Sequence, residues 1–305
     1  MKKIVIQKND EGQSLFKFIK KSYSTTPLSV IYKWFRTGKI KVNNKKTKDQ
    51  KFLLKSGDEV WIYDTNNSVI RDQFRREEFS DLQIVYEDSN LVIIDKPHNT
   101  EVHSPINNCL DNKVKSYLLE KQEYNPDQEN SFMVSHVHRL DKLTRGLIIY
   151  AKNRQALEVL LLAIKDKQQI KKTYWAQLES DWSGEKRCDG WIKYNSDLQK
   201  AVYQENFKEG FKEASTVFSE LIPNSSWVEV LLETGRKHQI RATLEFLRKP
   251  IKFDFRYGAK RKTSDKLIML FAVELEFANL PEPLQYLNDV KISIKEKIKE
   301  LYETI

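Results

Sequence analysis

Cysteine is almost absent: Cys109 and Cys188 are the only two in 305 residues. They lie far apart and show no CxxC spacing, which argues against a disulfide framework and a cysteine-based zinc site. Long apolar runs are missing as well. The longest, Leu157 to Ile164, falls far short of the ~20 residues a membrane-spanning helix needs. The opening MKKIVIQKND has three apolar residues after its basic pair before polar sequence resumes, too few for the apolar core of a secretory signal. A cytoplasmic protein with no membrane partner is expected. No GxGxxG or P-loop string occurs, so no nucleotide cofactor is indicated.

What is present is charge, unevenly placed. Residues 1–76 hold 14 Lys and 4 Arg against 7 acidic residues, a net of +11, which leaves −2 for the rest of a chain whose total is +9. Such asymmetry points to a small polyanion-binding unit carried by a larger, nearly neutral body. The length accommodates one large domain plus a small one, and 40% hydrophobic with 31% charged residues fits a globular chain with a polar surface.

In the basic unit, Leu15, Phe18 and Ile19 recur at helical spacing until Ser22 to Pro27 break the pattern. Leu28 to Phe35 form a second amphipathic segment, closed by Gly38. Alternation at Ile40 to Val42 and the runs Leu53-Leu54 and Val60 to Ile62, around a turn at Gly57-Asp58, predict a small sheet. The order PLSVIYKWFRTGKIKVN, then LKSGDEV, resembles the S-four-type (alpha-L) RNA-binding domain. That resemblance implies a domain over 1–65 that reads RNA shape and phosphate, with Tyr32, Lys33, Arg36, Lys39 and Lys41 as contacts. The bland alternative makes Tyr32 and Trp34 core and the cations solvated surface; Trp34 suits it better than the cation cluster does. Residues 66–80 lack periodicity and read as a linker, leaving 81–305 as the catalytic domain.

In that larger part, short apolar runs read as strands at Ile84 to Tyr86, Leu91 to Ile94, Leu147 to Ala151, Tyr174 to Leu178, Ser215 to Leu221, Trp227 to Leu232 and Val273 to Phe277. Arg154 to Lys167 reads as an amphipathic helix, and Asn107 to Glu129 as polar and partly helical. Many strands with few interrupting helices favour an α+β fold on a mixed, mostly antiparallel sheet.

Three segments carry the chemistry: HRLDKLTRGLIIYA from His138 to Ala151, KTYWA from Lys172 to Ala176, and TGRKHQIR from Thr234 to Arg241. The first places a lone carboxylate, Asp141, on a turn leading into an apolar strand, a poor acid–base pair but a plausible nucleophile. The second is weak alone; the other two are specific. Together, in this order behind the basic unit, they resemble the pseudouridine synthases that act on ribosomal and transfer RNA, most closely the C type of the large ribosomal subunit. Asp95-Lys96-Pro97, Val102-His103 and PIKFDFRYG from Pro250 to Gly258 extend the likeness, which covers roughly Glu11 to Phe277.

The resemblance implies that Asp141 is the nucleophile, Arg139 helps displace the target uridine, Tyr174 packs against its base and Arg241 pairs with Asp141. Arg236 and His238, in the same motif as Arg241, are expected to touch substrate. The reaction breaks the C1′–N1 bond, turns the uracil and joins C1′ to C5. Atoms and oxidation state are conserved, so it calls for no metal and no cofactor. The uridine must leave its stack at a cost of a few kcal/mol, after which a carboxylate can attack and leave again. A guanidinium partner keeps such a carboxylate ionised against desolvation when the base covers it. RNA is the expected partner, with large-subunit rRNA ahead of tRNA, and a monomer is expected.

Several positions depart from the family pattern. Arg145 stands for a serine, Lys237 for a threonine, and Phe271 for a histidine, with Lys266 near the place of a nearby cation. These departures raise an inactive RNA-binding or ribosome-assembly relative as one rival. A second is a metal site, since His136, His138 and Asp141 scan as HxHxxD, with His98, His103 and His238 as the remaining ligand candidates.

Overall fold

The computed structural model describes residues 2–23, 26–63, 75–126, 129–166, 168–260 and 267–302. The N-terminal unit begins with β1 (Lys2–Val5), then α1 (Leu15–Ser22), α2 (Leu28–Arg36), β2 (Ile40–Val42), β3 (Lys45–Lys46) and β4 (Glu59–Ile62). Its sheet runs β1-β4-β2-β3, antiparallel throughout. The Ser14 side chain caps α1 by accepting from the Lys17 amide, a bond worth about 1 kcal/mol. Leu15, Phe18 and Ile19 of α1 and Ile31, Trp34 and Phe35 of α2 close one small core with the sheet. Trp34 is thus core, as the bland reading had it. β1 is not legible in the sequence, because its single buried position, Ile4, follows two exposed lysines.

The larger unit contains β5 (Ile84–Glu87), β6 (Leu91–Lys96), α3 (Leu110–Glu120), β7 (Ser135–His136), β8 (Arg145–Ala151), α4 (Arg154–Ala163) and β9 (Ile170–Trp182). It continues with β10 (Glu185–Asn195), β11 (Lys200–Gln204), β12 (Lys212–Glu220), β13 (Ser225–Leu232), α5 (Gln239–Phe246), β14 (Leu270–Phe277), β15 (Lys291–Ser293) and α6 (Lys295–Leu301). One 11-stranded sheet runs β11-β10-β12-β13-β9-β14-β8-β6-β5, with β15 on β14 and β7 on β8. Among the described residues its pairings are antiparallel except β14 with β8, a mixed, antiparallel-rich α+β architecture.

Unbroken apolar runs in β6 and β8 follow from burial on both faces. Leu91, Ile93, Leu147 and Ile149 face Ala156 and Leu160 of α4, while Val92, Ile94, Ile148 and Tyr150 face Leu110, Val114 and Leu118 of α3. This double cover stiffens β8, the strand that follows Asp141.

Most of the expected linker lies outside the described residues. Its far end is anchored, since the buried Glu77 carboxylate accepts from the Cys109 amide and from Asn112 Nδ2 at the start of α3. The two units also touch: Asp10 accepts from Asn130 Nδ2 (2.8 Å) and Ser131 Oγ (2.5 Å), and Arg154 donates to the Glu11 carbonyl (2.6 Å).

Candidate active site

A cleft of about 1370 Å³ opens beside the central strands, lined by all six catalytic and substrate-binding residues expected from sequence: Arg139, Asp141, Tyr174, Arg236, His238 and Arg241. Three segments distant in sequence meet there because β14 pairs with both β8 and β9, and β13, which leads to α5, pairs with the other side of β9.

Asp141 sits on the turn before β8, where its carbonyl accepts from the Thr144 amide (3.1 Å). Gly146 fixes how that turn enters the sheet. Its φ is +130°, and a Cβ there would fall 2.2 Å from the Ala272 carbonyl oxygen. Only glycine lets β8 approach β14 so closely.

Arg241, buried on α5, donates to both oxygens of Asp254, from Nε at 2.7 Å and Nη2 at 2.8 Å, and from Nη1 to Asp141 Oδ2 at 3.1 Å. Burial disfavours the guanidinium charge, but Asp254 and then Asp141 outweigh it and hold Arg241 above its usual range. Asp254, itself 1% exposed, lies within PIKFDFRYG, where nothing local gives it a role. Its signal in the sequence was an acid flanked by two phenylalanines, whose partner only the fold reveals.

His238 Nε2 lies 3.4 Å from the same Oδ2, and its Nδ1 is 2.7 Å from the Tyr257 hydroxyl. Burial pushes this histidine down to about 4, against the opposing pull of Asp141, so it is neutral at physiological pH. Tyr174, on β9, is buried in the cleft wall, and burial reinforced by the Asp141 charge raises its hydroxyl above the ordinary range. It therefore offers a neutral ring.

Lys96, another residue without an assigned role, is fully buried. Its Nζ donates to the carbonyls of Pro97 (2.9 Å), Thr100 (3.0 Å) and Lys142 (3.2 Å). Burial pushes it down to about 7, with Asp141 and Asp95 pulling upward. It ties the Asp95-Lys96-Pro97 turn to the residue next to Asp141.

Arg139 is exposed at the cleft. Arg236, also exposed, donates from Nε to the Glu213 carbonyl (2.9 Å). Lys237 stands over the Tyr194 ring at 3.5 Å. On the N-terminal unit, Tyr32, Lys33, Arg36 and Lys39 are exposed and Lys41 is half-buried. None of the five lines the cleft.

The HxHxxD residues do not converge on one point: His136 Nδ1 donates to Asp111 Oδ1 at 2.9 Å, while Asp141 is engaged by Arg241. Among the described residues no group of three or more His, Cys, Asp or Glu could hold a metal ion. Of the departures, Arg145 forms a two-point bond to the buried Asp95, which also takes Lys297 of α6 at 2.9 Å. Phe271 is buried between His98, Trp227 and Tyr302. Lys266 lies outside the described residues.

Residues 90–246 match the family described as RNA pseudouridylate synthase. An RNA pseudouridine synthase from Mycoplasma capricolum is 48% identical over 297 residues, covering 97% of each chain. A ribosomal large subunit pseudouridine synthase C from Buchnera aphidicola subsp. Schizaphis graminum is 31% identical, covering 90% of this chain and 88% of its own. Among solved structures, human RNA pseudouridylate synthase domain containing 1 superposes with a TM-score of 0.54 at 20% identity, over 74% of this chain and 97% of the other, a likeness of fold.

Proposed function

The chain belongs to the RNA pseudouridylate synthase family and is an RNA-modifying isomerase; from that premise we propose that it converts uridines of large-subunit rRNA, with Asp141 as nucleophile. The observation that carries the assignment is the charge chain Asp254–Arg241–Asp141 inside the cleft. A fully bonded buried carboxylate fixes the guanidinium, and the guanidinium holds a second, half-exposed carboxylate by a single bond. That second carboxylate is aimed by the guanidinium, yet one of its oxygens, Oδ1, has no hydrogen bond among the described residues.

The everted uridine enters the cleft against Tyr174, whose neutral buried ring supports the uracil face without fixing its polar edge. Arg139 fills the space the base leaves in the RNA. The C1′–N1 bond then breaks, the uracil turns, C5 bonds to C1′, C5 gives up its proton and N1 takes one. Addition of the carboxylate to C1′ and the glycal route both begin with the Asp141 carboxylate against the ribose, where the Arg241 bond positions it.

The preference for large-subunit rRNA rests on likeness to relatives carrying that name. The N-terminal unit, as an S-four-type domain, is assigned to holding the RNA through Tyr32, Lys33, Arg36, Lys39 and Lys41. Its contacts through Asp10 and Glu11 keep it seated on the catalytic unit.

Asp141→Asn should abolish pseudouridine formation while RNA binding persists; turnover by that variant removes the nucleophile assignment. Mapping pseudouridines in rRNA and tRNA from cells with and without the gene tests the substrate. Sites lost only from tRNA would redirect it.

A further inference from the structure

A second chain of contacts reaches the Asp141 carboxylate, and its partners dictate where the protons lie. Tyr257 is wholly buried. Its hydroxyl oxygen is 2.6 Å from the Ala201 amide nitrogen on β11 and 2.7 Å from His238 Nδ1. An amide can only donate, so the hydroxyl accepts from Ala201. Were it to accept from Nδ1–H as well, its own proton would have no acceptor among the described residues, which buried hydroxyls avoid. The hydroxyl therefore donates to Nδ1, and the single proton of the neutral ring sits on Nε2, facing Asp141. The opposite tautomer would set the Nε2 lone pair against a carboxylate.

We propose that Tyr257 fixes His238 as its neutral Nε2–H form, and that this N–H positions the Asp141 carboxylate through Oδ2, leaving Oδ1 for the ribose. Both are positioning residues, and the inference rests on the nucleophile assignment above.

The 3.4 Å from Nε2 to Oδ2 exceeds a formed hydrogen bond, so the proposed contact is one that shortens when substrate fills the site. Two features support it. His238 adopts a left-handed backbone, φ +58°, uncommon for a residue with a side chain, at the point where α5 begins. The Arg241 guanidinium also lies 4.6 Å above the Tyr257 ring, so one tyrosine touches both groups that hold Oδ2.

The test is NMR of the full chain with 15N-labelled histidine at pH 7, with His238 assigned by its loss in His238→Gln. The expected spectrum shows an unprotonated Nδ1 and a protonated Nε2. An Nδ1–H tautomer, or an imidazolium, overturns the proposal. In steady-state assays Tyr257→Phe should lose the single tautomer and lower kcat about tenfold or more with KM unchanged, the mark of a misplaced reacting group. His238→Gln, which can return an N–H near Nε2, should keep more activity than His238→Ala. Wild-type kcat in Tyr257→Phe, or equal activity of the Gln and Ala variants, overturns it too. If Tyr257→Phe fails to fold, the wild-type tautomer and the Gln–Ala pair still decide. Failure here with Asp141→Asn inactive would remove this relay alone; turnover by Asp141→Asn would remove the reaction assignment itself.

Discussion

Arg241 binds Asp254 at two points and Asp141 at one. The difference fits the roles proposed above, with the two-point partner as anchor and the one-point partner as the reacting group. Asp254→Asn would leave the guanidinium buried with half its anchor. Breaking a buried pair on one side costs about 3 kcal/mol or more, and an Arg241 displaced by about 1 Å should lower kcat on the order of 100-fold. Denaturant unfolding and single-turnover conversion of an rRNA fragment would check both. Wild-type kcat in Asp254→Asn would show that Asp141 is aimed by something else.

Lys96 makes stability depend on pH in a defined direction. Its folded value of about 7 lies below the ordinary lysine value of 10.5, so between these limits the unfolded chain binds more protons than the folded one. Stability from this group therefore rises with pH from about 7 to about 10. The difference in unfolding free energy between wild type and Lys96→Met should move in favour of wild type over that window, as measured by urea titration at pH 7, 8 and 9. Activity should run the other way. Three carbonyls accept from Nζ, which needs all three protons of the ammonium, so deprotonation loosens the Lys142 carbonyl beside Asp141.

Arg145 and Phe271 face each other in the register of β8 and β14. Arg145 neutralises the buried Asp95 together with Lys297, and Phe271 packs at a tilt against Tyr302 just past the end of α6. Arg145→Ser should cost about 3 kcal/mol by leaving Asp95 with one cation. Asp95→Asn in the same chain should restore much of that, and a double-mutant cycle on thermal unfolding reads the coupling directly. Additive losses would mean the two side chains act independently.

That pairing marks the limit of what the sequence discloses. HRLD and TGRKHQIR are legible because each packs its chemistry into one contiguous string, with an apolar strand or helix attached. The strands β6 and β8 are legible because burial on both faces writes an unbroken apolar run. β10 is not: it lies between β11 and β12 near one end of the sheet, and its polar sequence leaves Cys188, Gly190 and Ile192 as its only buried points. Asp254, Tyr257 and Lys96 were visible as letters in quoted motifs. Their roles depend on which distant group each meets, and that information lies in strand register and helix entry, not in local pattern. Arg145 and Phe271 are far apart in the sequence, and only the register of β8 and β14 sets them opposite each other.

The N-terminal cations make the last prediction, and it separates RNA holding from catalysis. Lys33, Arg36 and Lys39 are exposed on the basic unit and stand apart from the cleft. Each phosphate contact contributes roughly −0.7 to −0.9 to the slope of log affinity against log salt. Replacing all three by glutamine should flatten that slope by about 2 to 3 and weaken binding most at low salt, with single-turnover conversion at saturating RNA little changed. Filter binding across a salt series measures the slope. An unchanged slope would mean these cations merely solvate the surface, and the net +11 of residues 1–76 would need another explanation.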